Sequence, residues 1–263
     1  MLKVVDVQSL ADERNLALDK VGVKNVRYPL SVLDKFSKTQ HTTATVDLYA
    51  NLPHHFKGTH MSRFIEVFNR YHSDLTMPRF LEMVDDLRET VDAERAFAQV
   101  SFPYFVEKTA PVTANRSMLD YRCHYIGEST QAGHAFIVGV DVPVQTLCPC
   151  SREISDRGAH NQRGTVSVRG QIGPFFWFED LISDIEACAS GGLYTLLKRE
   201  DEKYVTEHAY DHPVFVEDLV RNVVVAIEKR YGFHWFSVEA ENNESIHNHD
   251  AYAAIERGVK KQV

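Results

Sequence analysis

Apolar and polar positions along this chain follow one pattern twice. In the first round Ala44, Val46 and Leu48, led by Thr42, alternate with Thr43, Thr45, Asp47 and Tyr49, the two-residue period of a half-buried strand. The run from Val23 to Leu33 before it is a strand candidate. Phe64, Val67, Phe68 and Tyr71 then recur at helical spacing, and after Thr76 so do Phe80, Met83, Val84, Leu87 and Val91. Strand-like runs from Ala98 to Val106 and from Ser117 to Ile126 close the round. The second round opens with Phe136, Val138, Val140 and Val142 and a strand from Thr165 to Gly170. A helix carrying Leu181, Ile182 and Ile185 follows, stopping near Gly191-Gly192, where a residue without Cβ can take the left-handed termination. A polar insert runs from Arg199 to His212. A long helix bears Val216, Leu219, Val220, Val223, Ile227 and Tyr231 and ends at Gly232; strands from Phe233 to Ala240 and from Asp250 to Ile255 complete the round.

Each round reads strand-strand-helix-helix-strand-strand. Short links between successive strands favour antiparallel pairing, and such a sheet carries helices on one face. The expectation is an α+β fold of two tandem modules, residues 1–130 and 131–263, with the second holding most of the chemistry. The sheet face without helices bears Val, Tyr and Phe, which predicts that copies of the chain cover it for one another.

Composition narrows the function. The chain has 263 residues and a formal net charge of −8, which argues against nucleic acid or an anionic membrane as partner while leaving room for a local basic pocket. No apolar run approaches the roughly 20 residues that span a bilayer. Met1 to Asp6 lacks the apolar core of a secretory signal. Four cysteines in so long a chain fit reduced thiols and a cytoplasmic setting.

Cys148-Pro149-Cys150, with His160 ten residues on, stands in a turn-rich segment between two strand candidates. Cys123, in an alternating strand, and Cys188, at the end of an apolar helix, read as small buried hydrophobes. The Cys148 and Cys150 pair lies among polar residues instead. One residue between thiols departs from the spacing of about two to four in structural zinc knuckles, and this favours one thiol as ligand and the other as a reactive thiolate. Glu244, His247 and His249 crowd the link between the last two strands, where imidazole and carboxylate can move protons near neutral pH; a solvated hairpin tip is the plainer reading. Glu217 and Asp218 follow Pro213 in the first turn of the long helix, where the helix dipole alone accounts for them. A carboxylate fixed there can also accept two hydrogen bonds from an amidine-like edge. Lys57 to Arg63 precedes the first helix and offers cations and N–H groups to a phosphate, without the glycine spacing of a P-loop; a plain helix start is the alternative.

Taken in order, Lys57-Gly58-Thr59-His60-Met61-Ser62-Arg63-Phe64, Cys148-Pro149-Cys150-Ser151, Gly158-Ala159-His160-Asn161-Gln162-Arg163 and Glu244-Ser245-Ile246-His247-Asn248-His249-Asp250 closely resemble the prokaryotic GTP cyclohydrolases of type IB. The resemblance implies a tunnelling fold, a homotetramer with sites between subunits, and conversion of GTP and water to 7,8-dihydroneopterin triphosphate and formate, the entry to folate and 7-deazaguanine synthesis. It implies a divalent metal (manganese, zinc or iron) on Cys148, His160 and a carboxylate of the polar insert, Glu202. Glu217 would anchor the guanine edge. Cys150, His160, Glu244, His247 and His249 would be the catalytic groups, and Lys57, Arg63 and Arg116 would meet the triphosphate. Three competitors are a nitrile reductase of the same fold, which forms a thioimide on cysteine and needs NADPH but no metal, an archaeal-type relative that makes a cyclic phosphate product, and a non-catalytic metal-binding oligomer.

Overall fold

A computed structural model describes residue 8 and residues 11–260; the segment Met1 to Asp6, read above for a signal, lies outside them. The first round folds as β1 (Leu18–Asp34), β2 (Lys38–Leu52), α1 (Met61–Tyr71), α2 (Met77–Thr90), β3 (Arg95–Thr109) and β4 (Arg116–Thr130). The second runs β5 (Gly133–Leu147), α3 (Pro149–Ile154), β6 (Asn161–Gln171), α4 (Phe178–Glu186), β7 (Gly191–Gly192), α5 (Arg199–Asp211), α6 (Val216–Arg230), β8 (Trp235–Asn243) and β9 (Asp250–Gly258). The order ββααββ is therefore present twice, with α3, β7 and α5 added in the second round. Two compact units form, one from the residues through Phe102 together with His124–Ile137, the other from Pro103–Cys123 together with Val138–Lys260.

In the first unit β1, β2 and β3 pair antiparallel, with Val46 opposite Val100 and Leu48 opposite Ala98. The alternation in β2 sends Ala44, Val46, Leu48 and Ala50 inward, each at most 1% exposed. Phe64, Val67 and Phe68 of α1 and Phe80, Met83 and Leu87 of α2 are buried as well. Thr76 caps α2 by accepting the Arg79 backbone N–H at 3.3 Å.

In the second unit β5, β6, β8 and β9 form an antiparallel series, and β7 pairs with the end of β5. α6 packs on β8 and β9 through Leu219, Val220, Val223 and Ile227, all at most 1% exposed. Its five valines are poor helix formers, each losing up to about 0.7 kcal/mol against alanine. Burying such a side chain gains about 1.5–3 kcal/mol, so packing decides the conformation. Gly232, at φ 59°, ends this helix as expected.

Three local features differ from the sequence reading. The insert Arg199 to His212 is the helix α5, whose only buried residues are Asp201 and Ala209, so no apolar stripe announced it. Gly191-Gly192 does not cap α4, which ends at Glu186; the pair lies extended as β7 beside Val144 and Gln145. The Cys-Pro-Cys segment is a short helix, α3, with Cys148 as its N-cap and Pro149 in its first turn. Among the described residues no helix is long and apolar enough to cross a membrane.

Candidate active site

Strand register gathers the site. Leu147, the last residue of β5, faces Asn161, the first of β6, so the connection 148–160 leaves and re-enters the sheet at one end. β6 also pairs with β8, Gly164 opposite Asn242, which brings the connection 244–249 to that same end. The Val214 backbone N–H donates to Leu147 O at 3.1 Å, and α6 starts beside the same strand end with Glu217 exposed in its first turn.

The 148–160 connection closes on itself. The Cys148 N–H donates to His160 O at 3.1 Å, and the His160 N–H donates to Ser151 Oγ at 3.2 Å. Cys148 Sγ accepts the Ser151 N–H at 3.4 Å, the position a capping side chain takes at a helix start. Cys150 is exposed and Cys148 half-buried. His160 Nδ1 lies 3.1 Å from Gln162 Oε1, and Gln162 Nε2 donates to Glu244 Oε1 at 3.3 Å. The other carboxylate oxygen, Glu244 Oε2, is 3.6 Å from His160 Nδ1 and is buried without a hydrogen-bond partner. The His247 ring stands edge-on to His160 at 6.2 Å, and the His247 and His249 rings stack at 5.1 Å. Six residues from two connections, Cys148, Cys150, His160, Glu244, His247 and His249, thus share one end of the sheet. Gln162 is a seventh, which the sequence reading did not single out. Its signal was a polar residue on the inward stripe of β6, in step with Val166 and Val168.

Glu202 is placed differently. It is exposed in the first turn of α5. The helix approaches the cysteine segment with its other end, where the Arg152 guanidinium lies over the Tyr210 ring at 4.7 Å, eight residues or about 12 Å along the axis. Among the described residues no group of three or more His, Cys, Asp or Glu side chains converges on one ion position. Cys148 and His160 are joined through their backbones, and the orphaned Glu244 oxygen lies beside the His160 imidazole. Thiol and imidazole suit a borderline divalent metal, and a buried carboxylate oxygen with no donor lacks the cationic partner it needs. By donor type these residues fit a divalent metal.

The remaining candidates have other surroundings. Arg116 is exposed and paired with Glu107 at 3.3 Å. In the first unit Lys57 is exposed, and Arg63 lines a cavity of about 140 Å³ with Gly58, Thr59 and His60. Cys123 is buried as expected, and burial pushes its thiol well above the ordinary range. Burial pushes the Cys188 thiol up to about 11. Iodoacetamide at neutral pH is therefore expected to label Cys150 first and to leave Cys123 unlabelled until the chain unfolds, as read by peptide mass spectrometry.

The backbone is that of the tunnelling-fold class. Urate oxidase from Bacillus sp. TB-90 superposes on it with a TM-score of 0.52, covering 92% of this chain and 100% of that one; at 7% identity the likeness speaks for the fold alone. Within that class the chain belongs to the family described as type I GTP cyclohydrolase folE2, whose profile matches residues 4–253. It is 53% identical to GTP cyclohydrolase FolE2 of Syntrophotalea carbinolica, over 95% of this chain and 94% of the relative. The corresponding protein of Syntrophus aciditrophicus is 51% identical, over 97% and 100%. Family membership sets aside the nitrile reductase and the non-catalytic oligomer.

Proposed function

We infer that this enzyme hydrolyses the five-membered ring of the guanine in GTP, releases formate and rebuilds the remainder as 7,8-dihydroneopterin triphosphate, at the sheet end that carries Cys148, Cys150, His160 and Glu244. The observation that carries this reading is the meeting of the 148–160 and 244–249 connections, in a chain whose family spans nearly its whole length. A divalent metal on Cys148 and His160, completed by a carboxylate, would supply the Lewis acidity that makes water nucleophilic at neutral pH. Glu202 is the carboxylate implied by resemblance; Glu244 is the one that stands beside His160.

The chain's own groups do the rest. Glu217 accepts the N1–H and 2-amino hydrogens of guanine through its two oxygens and so orients the base. Cys150 gives and takes the proton at the opening ring. His247, His249 and Glu244 carry protons during ribose opening, rearrangement and pterin closure. Lys57, Arg63 and Arg116 are proposed for the triphosphate on charge. A homotetramer with sites at subunit contacts is proposed on the family resemblance, and a cytoplasmic setting on the sparse cysteines.

The test is to strip the protein of metal, incubate it with GTP alone or with manganese or zinc, and assay formate and fluorescent oxidised pterin. Both products are expected only with metal. No product with any divalent metal would overturn the reading.

A further inference from the structure

We propose that Gln162 is a positioning residue of this site, one amide that selects the ring tautomer of His160 and holds Glu244 at a fixed distance from it. The proposal rests on the cyclohydrolase reading for its chemistry, but its geometry stands independently. β6 presents Gln162 on its inward stripe, 8% exposed, so the side chain has few alternative partners.

The direction of each hydrogen bond follows from what each group can do. An ionised carboxylate only accepts, so the amide NH₂ must face Glu244 Oε1 at 3.3 Å. The amide carbonyl then faces His160 Nδ1 at 3.1 Å. A carbonyl only accepts, so Nδ1 carries the hydrogen. In the neutral ring the lone pair is left on Nε2, the form that can bind a metal or take a proton. The same amide keeps the imidazole from the carboxylate. Glu244 Oε2 lies 3.6 Å from Nδ1 with no hydrogen-bond partner. Without the amide it is the nearest acceptor for that N–H, and a direct imidazole–carboxylate pair would form. Gln162 thus leaves one Glu244 oxygen uncommitted for a reacting partner.

Two variants of the full chain separate the functions of the amide. Gln162→Met keeps the length and removes both hydrogen bonds. Gln162→Glu keeps the size and an acceptor for Nδ1–H but cannot donate to Glu244. Long-range proton–nitrogen correlation spectra of isotopically labelled histidine, taken without metal, are expected to report the Nδ1–H tautomer in the parent and in Gln162→Glu. In Gln162→Met they should report the hydrogen still on Nδ1 but its signal shifted downfield by direct pairing with Glu244. Zinc affinity, titrated with zinc alone, is expected to fall about 10–100-fold in Gln162→Met and to be largely restored in Gln162→Glu. Formate release should fall in both variants through kcat, with KM for GTP within about twofold. Melting by circular dichroism checks the fold, and the tautomer of the parent carries the test if the methionine variant melts early. A His160 Nδ1–H signal and zinc affinity both unchanged in Gln162→Met, or an Nε2–H tautomer in the parent, would overturn the proposal. Absence of formate release by the parent would instead overturn the cyclohydrolase reading, while the tautomer still decides the role of Gln162.

Discussion

Cys150→Ser is expected to lower formate release from GTP about 10²–10⁴-fold, the range of a lost general acid or base, with little change in melting temperature. Cys150 is exposed in the first turn of α3, so serine disturbs no packing. An alcohol, however, cannot give and take a proton near neutral pH as a thiol can. Cys148→Ser should differ in kind. Cys148 caps α3 and stands beside His160, so its loss is expected to abolish zinc binding, whereas Cys150→Ser retains it. Zinc titration and a formate assay on the two variants check the division of labour. Activity within a few-fold of the parent in Cys150→Ser would remove that thiol from the mechanism.

Asp201→Asn is expected to lower the melting temperature by roughly 5 °C or more and to flatten its dependence on acid pH. Asp201 has no solvent exposure and accepts from four donors. The Val112 and Thr113 N–H groups donate to Oδ1, each at 2.9 Å. The Thr113 hydroxyl at 2.7 Å and the Lys198 N–H at 2.9 Å donate to Oδ2. Burial pushes this carboxyl up, but the hydrogen bonds outweigh it and hold the group well below the ordinary carboxylate range. The sign follows from linkage: a group with a depressed folded-state pKa stabilises fully above its unfolded value, near 3.9. That stabilisation is lost as pH falls below about 4 towards the folded value. Asparagine would turn its NH₂ towards two of the donors and would carry no charge to titrate. Melting curves of parent and variant from neutral pH to about pH 3 should therefore converge on acidification. Parallel curves would show that the carboxylate charge contributes nothing. The consequence for function is that Asp201 anchors the start of α5 to the 112–113 turn, and with it the position of Glu202.

The elements were legible wherever one face of a strand or helix is buried. The alternation in β2 and β6 and the stripes of α1, α2 and α6 record which side faces the core, because a misplaced apolar residue costs as much as a correctly placed one gains. α5 was illegible for the converse reason: it is held by one buried carboxylate and by helix-end charges rather than by a stripe. β7 was misread because two glycines specify freedom and not a conformation. At the site, cysteine, histidine and glutamate could be singled out by type and crowding. Gln162 was passed over because its one signal, an amide in phase with Val166 and Val168, appears only once β6 is extended back to Asn161.

What the sequence determined on its own was the doubled ββααββ order, the inward faces, and the four motifs on which the family resemblance rests. Those are properties of single segments, governed by local period and residue type. Only the tertiary structure decided that connections some eighty residues apart in the chain meet at one end of the sheet. It also decided that an amide stands between His160 and Glu244 and that Glu202 projects from the opposite end of α5. These depend on strand register and helix docking, where a one-residue slip reverses every side chain, and no segment read alone contains that information.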